Sequence, residues 1–273
     1  MQKINSGRNR VVYTAVFGGY DLVPIVDPSW DCDFICFTDT PELVSAGWVV
    51  VFIQLSGESP AQANRRYKIL PHKYLANYEF SLYVDGNIQI LVDPTPLFLK
   101  YLEKEIVAIP KHQDRNCVYA EAKLCIISGR VNKEITERQM SRYAEDGFPE
   151  MFGMSENGIL LRKHNEERMI AIMDEWWVEY CCGGLRDQLS LPYLLWKYKV
   201  RAMEITEGPR INGKFFKITL HTKRKAKSLL SRLANQINEK KHLNFYFYIA
   251  SVLVSLFVVS RDVLMKFLYI RIR

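Results

Sequence analysis

The sequence predicts an α/β protein, a mixed and mostly parallel sheet flanked by helices, on three observations. Short apolar, β-branched runs end at Gly or Asp, and segments of helical spacing alternate with them. The 273 residues, 48% hydrophobic and 12% aromatic, are enough for one sizeable core with an appendage. Alternating strands and helices of this kind give a largely parallel sheet.

The first strand is expected over residues 10–17 (RVVYTAVF), stopped by Gly18-Gly19. Residues 33–38 (DFICFT), closed by Asp39, and 48–54 (WVVVFIQ) read as the second and third. Over 64–77, Ile69, Leu70, Tyr74 and Leu75 lie close to helical spacing, with Pro71 marking a bend or a late helix start. A fourth strand over 81–84 ends at Asp85, and a short helix follows over 94–102. Further strands are expected over 106–109, 158–162 and 200–205. Helices are expected over 119–128, 133–145, 165–180 and 187–196.

Charge divides the chain in two. From Gly208 onward there are 14 Lys and Arg against two acidic residues, a balance of +12. The first 207 residues carry 23 Lys and Arg against 28 Asp and Glu, a balance of −5. Residues 1–207 therefore read as the folded domain and 208–273 as a basic, helical tail. Residues 243–260 of the tail contain no charge, and their aromatic start and cationic flanks suit a lipid interface, lying flat or spanning. Packing in a core or against a second copy is the plainer alternative. The tail's aromatics do not alternate with Lys and Arg, which argues against a nucleic-acid partner.

The six cysteines form no CxxC pair and no zinc-site spacing, and read as reduced. The polar start MQKINSGRNR has no apolar stretch behind it, so no secretory signal is expected and a cytoplasmic location is.

Several groups could carry chemistry. The turn Phe17-Gly18-Gly19-Tyr20-Asp21 follows a strand, where ligands sit in open parallel sheets; it also reads as an ordinary turn. No Walker A or GxGxxG sequence occurs. Asp85-Gly86-Asn87 offers a strand-end carboxylate and an amide two residues on, half of an oxygen site for a hard cation, or equally a capped turn. Arg65 and Lys68 share a helix face that suits a diphosphate or simply solvent. Glu156, His112, His164 and the pair Asp187-Gln188 are further polar groups, and Asp187 at a helix start also reads as a cap.

In order, VYTAVFGGYD at 12–21, DFICFTD at 33–39, NRRYKILPHKYLANYEFSLYVDGNIQI at 64–90, KHQDRNCVYAEA at 111–122, ENGILLRKHN at 156–165 and DQLSLPYLLWK at 187–197 resemble a glycosyltransferase-like family of the TOD/MUCI type. That resemblance implies a GT-A-like, Rossmann-type fold, a nucleotide-sugar donor (a UDP-sugar by preference) and Mn²⁺ or Mg²⁺. It implies that Asp85 and Asn87 stand at the Asp-x-Asp metal position, one carboxylate short. It assigns residues 17–21 and Gly86 to the nucleotide, and Arg65 and Lys68 to the donor phosphates or sugar. Asp187 and Gln188 would lie near the sugar, with Asp187 or Glu156 as base if configuration inverts, and His221 would be a late metal ligand. The acceptor would be a glycan or a lipid-linked sugar. Two rivals remain: a metal-dependent hydrolase using Asp85, His112, His164 and His221, and a non-catalytic sugar-binding module.

Overall fold

The computed structural model describes residues 7–43 and 45–219, together with residues 246, 249, 252 and 253. Chain contacts divide it into Met1–Thr222 and Lys223–Arg273.

In the first unit the elements run β1 (Arg10–Val16), β2 (Asp33–Thr38), β3 (Val49–Phe52), α1 (Pro60–Ile69), α2 (Pro71–Tyr74), β4 (Phe80–Val84), β5 (Ile88–Ile90) and α3 (Thr95–Leu102). They continue as β6 (Val107–Ile109), α4 (Val118–Ile127), α5 (Lys133–Glu145), β7 (Ile159–Arg162), α6 (Glu167–Cys182), α7 (Asp187–Lys197), β8 (Met203–Glu204) and β9 (Phe216–Ile218). Seven strands form one sheet in the order β3-β2-β1-β4-β7-β6-β8. The pairs β1–β2, β1–β4, β2–β3 and β6–β8 are parallel. Only β7 runs against its neighbours, pairing antiparallel with β4 and β6. This is the mixed, mostly parallel sheet expected.

Strand alternation makes two cores. Val11, Tyr13 and Ala15 of β1 face a layer containing α1, α6 and α7, where Ala63, Tyr67, Trp176 and Leu194 are buried. Val12 and Val16 face the other way, toward Leu97 and Phe98 of α3 and Ile88 and Ile90 of β5. Strands buried on both faces read as unbroken apolar runs, which is why β1 and β2 were visible as such.

Four differences from expectation have local causes. The helix expected to begin near Asn64 starts at Pro60, because Ser59 and Gln62 form a reciprocal capping box: Gln62 N donates to Ser59 Oγ at 3.2 Å and Ser59 N to Gln62 Oε1 at 3.2 Å. Pro71, by contrast, opens a separate helix, the late start expected of it, since its missing N–H costs nothing in a first turn. The strand expected over 200–205 shortens to Met203–Glu204. The two-stranded sheet of β5 and β9 was not foreseen; three residues each are too few to show a period. Residues 216–218, placed by charge in a helical tail, form a strand against β5.

The six cysteines are all unpaired. In the second unit Tyr246, Ile249, Val252 and Leu253 are helical and exposed; the rest of the uncharged run lies outside the described residues. Among the described residues no helix is long and apolar enough to cross a membrane.

Candidate functional site

The carboxyl ends of β1, β2 and β4 meet at one edge. Gly18 and Gly19 turn the chain after β1 with φ of +66° and +56°, left-handed values that glycine adopts without strain. The Gly18 amide donates to the Asp39 carboxylate at the end of β2, at 2.8 and 3.0 Å. A Cβ on Gly86 would lie 2.6 Å from Val16 Cγ2 and 3.4 Å from Asp21 Cβ, so only glycine lets the β4 loop approach the β1 loop this closely.

Beyond that contact lies a polar cleft of about 350 Å³, lined among others by Arg65, Lys68, Asp85, Asn87, Glu156, Asp187 and Gln188. Separate segments therefore converge: α1, the β4–β5 turn, the entry to β7, and the start of α7. Lys68 is 1% exposed, and its Nζ lies 2.7 Å from Asp187 Oδ2 and 3.6 Å from Asp85 Oδ1. Arg65 Nε reaches Asp187 Oδ1 at 3.1 Å. Asp187 is itself buried; burial alone would raise its pKa, but the Arg65 and Lys68 charges outweigh it and hold the carboxyl well below the usual range.

Lys68 is aimed from beneath. Arg162 of β7 is 1% exposed and donates to the Lys68 carbonyl at 2.9 Å, as does the Tyr13 hydroxyl at 2.9 Å. A cation under the last turn of α1 suits the helix dipole there. The carbonyl of Asp187 is held by Asn157 Nδ2 at 3.2 Å and Trp176 Nε1 at 3.0 Å. The ion pair thus has both backbones clamped and both side chains buried.

The donor set at Asp85 fits one half of a hard-cation site. Oδ1 accepts from the Tyr83 hydroxyl at 2.9 Å, while Oδ2 lies 3.1 Å from where a Cβ on Gly158 would stand, a space glycine keeps open. Asn87 Nδ2 donates to the Thr219 carbonyl at 3.2 Å, which turns the amide nitrogen toward Thr219 and the amide oxygen away from it. Two oxygens would leave the other coordination places to phosphate oxygens or water. Among the described residues no cluster of three or more His, Cys, Asp or Glu could hold a metal. His221 lies outside the described residues.

Not every expected group lines the cleft. Phe17 is buried and stacks on Tyr67 with centroids 5.5 Å apart, so its ring belongs to the core, and only the backbone of its turn is at the edge. Tyr20 is exposed and Asp21 is buried beside Gly86. Gln188 Nε2 donates to the Ser155 carbonyl at 3.0 Å, and Glu156 pairs with Arg210 at 3.2 Å. Asn157 also lines the cleft, as do Arg186 and Arg210, which went unnoticed in the sequence. Arg186 directly precedes Asp187 and was the one with a signal to follow.

His112 lines the cleft, with Nδ1 accepting from the Asp114 amide at 3.2 Å. His164 does not. It is fully buried, its Nε2 is 2.9 Å from the Leu75 carbonyl, and burial pushes its pKa down to about 4. This places it among core residues rather than in the ligand set a hydrolase would need. A pH effect follows. Between about 6.5, the ordinary histidine value, and about 4, the unfolded chain binds a proton that the folded one refuses. Stability should fall as pH drops through that interval, and His164→Gln should flatten the fall in urea titrations at pH 7 and 5. An unchanged slope in the variant would assign it to other groups, such as His72 and His112, whose pKa values burial also lowers.

A flanked mixed sheet with a charged cleft at its carboxyl edge defines an α/β protein whose polar side chains gather where ligands sit in such folds. The chain belongs to the TOD1/MUCI70 glycosyltransferase-like domain family, whose model matches residues 37–221. It is 26% identical over 128 residues to the probable hexosyltransferase MUCI70 of Arabidopsis thaliana, a match covering 43% of this chain and 22% of that protein. Among solved structures it is similar to mouse xyloside xylosyltransferase 1, with 8% identity and a TM-score of 0.41 over 73% of this chain and 85% of that one. It is also similar to the glycosyltransferase GlyE of Streptococcus pneumoniae, with 14% identity and a TM-score of 0.42 over 75% of this chain and 46% of that one.

Proposed function

We propose that this chain transfers a sugar from a nucleotide-sugar donor, a UDP-sugar by preference, to a hydroxyl of a glycan or lipid-linked acceptor. The observation that supports this reading is the buried Lys68–Asp187–Arg65 cluster beside the two-oxygen half-site of Asp85 and Asn87, in one cleft of a chain belonging to a glycosyltransferase-like family. Mn²⁺ or Mg²⁺ at that half-site would neutralise charge on the donor diphosphate.

The chain's own residues do the rest. Lys68 and Arg65 present fixed cations to the leaving diphosphate without the reorganisation that water would need. Asp187 holds both in place and stays ionised; accepting a proton would break two ion pairs, so it serves as a positioning charge and not as a base. In the transfer, the bond from the anomeric carbon to phosphate oxygen breaks as the bond to the acceptor oxygen forms. The acceptor proton passes to the Glu156 carboxylate if configuration inverts, or to the departing phosphate if it is retained. Gln188, its nitrogen tied to Ser155, offers its carbonyl oxygen to a sugar hydroxyl. The backbone of residues 17–21 and the exposed Tyr20 ring form the nucleotide side.

The tail, by its charge and its uncharged run at 243–260, associates with the cytoplasmic face of a membrane in this reading.

Thermal unfolding with nucleoside diphosphates tests the proposal. A ligand at a hundred times its Kd stabilises by about 2.7 kcal/mol, which is readily seen as a raised Tm. UDP with Mn²⁺ should raise the Tm well beyond either alone. A response to metal with none to any nucleoside diphosphate would favour the hydrolase instead.

A further inference from the structure

The cleft does not end at Asp187. A depression of about 260 Å³ begins at Pro110, which it shares with the cleft, and runs past Lys111 and Ser155. It shares Phe152, Leu195, Val200 and Arg201 with a larger cavity of about 710 Å³ at the C-terminal end of α7. Through these four shared residues the two cavities adjoin as one groove beside the β6–β8 edge. The β1 turn, assigned above to the nucleotide, lies on the other side of β4 in the sheet order.

Two properties of the groove stand out together. Its floor and walls carry flat apolar surface: Phe152 is 43% exposed, and half-buried Trp196 packs beside Phe148 and Tyr193 with ring centroids 5.5 and 6.0 Å apart. Its rim carries cations. Lys111, Lys199 and Arg201 are exposed, and none has a carboxylate within ion-pair distance among the described residues. The acidic residues at hand are Asp146, which accepts from the Tyr193 hydroxyl at 2.6 Å, and Glu204. Unpaired cations gathered here contrast with the first 207 residues as a whole, where acidic residues outnumber basic ones by five.

We propose that this groove binds a carboxylate-bearing oligosaccharide, the acceptor chain, with its sugar faces on Phe152 and Trp196 and its carboxylates on Lys111, Lys199 and Arg201. Pyranose rings present apolar C–H faces that suit aromatic surface, and uronate carboxylates match the Arg fork and the Lys point charges. A neutral glycan would use the ring faces but leave the cations idle. An acidic peptide would use the cations but not the shaped ring surface. That the bound glycan is the acceptor rests on the transferase reading; that the groove binds it does not.

The full chain can be titrated calorimetrically with an alginate hexasaccharide and with maltohexaose. The alginate should bind at least tenfold more tightly, with affinity falling as salt rises. Lys111→Glu with Arg201→Glu should weaken alginate binding at least tenfold; both side chains are exposed, so a normal melting curve is expected and would establish that the variant folds. Trp196→Ala should weaken alginate and maltohexaose alike. Equal affinity for the two hexasaccharides, unchanged alginate binding in the charge-reversed variant, or equally tight binding of a hexaglutamate peptide would overturn the proposal. Binding of UDP, located in the cleft, is read separately. No binding of any nucleoside diphosphate, with alginate binding intact, would refute the transferase and leave the groove standing.

Discussion

Asp187→Ala should damage fold and reaction together. It removes the carboxylate between Lys68, which is 1% exposed, and Arg65, leaving a buried ammonium with only Asp85 at 3.6 Å. Breaking one partner of a buried pair costs about 3–5 kcal/mol, a large part of the roughly 5–15 kcal/mol that holds a typical domain folded. Urea unfolding should show the lowered midpoint. Asp187→Asn keeps the shape and loses the charge, so it should retain more stability yet transfer little sugar. The same ion pairs give an acid limit. A carboxyl held below its ordinary value contributes stability that is present above about pH 4 and lost as pH falls toward its folded pKa. Asp187→Asn should remove that part of the acid transition. A wild-type midpoint and acid limb in both variants would mean the cluster is not a structural centre.

Asp85→Asn should do the opposite: little change in fold, large loss of activity. The backbone of the turn is held independently, by Asp85 N to the Gly158 carbonyl at 2.9 Å and Ile88 N to the Asp85 carbonyl at 2.8 Å. What goes is the one carboxylate of the half-site. Removing a fixed electrostatic contact to a transition state costs about a hundredfold or more in rate. Turnover should fall by at least that much, and the extra stabilisation by UDP and Mn²⁺ together should vanish, with the unliganded Tm within a few degrees of wild type. If the variant instead melts far lower, Asp85 is chiefly the capped turn that Asp-Gly-Asn also resembles.

What could be read from the chain follows physical rules of visibility. β1 and β2 are buried on both faces, so their apolar runs stand out, and α5 was found with its ends in place because Asn132 caps it and Asp146 closes it. Asp85 and Asp187 were legible because each sits at the end of a regular element. Their meeting around Lys68 was not, since nothing local encodes a contact between α1 and a helix start 119 positions later. The burial of the Phe17 ring against Tyr67 was not legible, because position at a strand end says nothing of which core a ring enters. Arg210 and β9 were hidden in a segment whose charge resembled the tail beyond it.

The tie between Asn87 and Thr219 spans 132 positions, and both the side-chain amide and the backbone carbonyl of Asn87 take part in it. The geometry of the half-site is therefore borrowed from a distant stretch of polypeptide. Cutting the protein at residue 207, where its composition changes, would spare every strand of the large sheet yet untether Asn87. Such a fragment should keep its melting transition better than its grip on a nucleotide, so the smallest competent piece has to reach at least as far as Thr219.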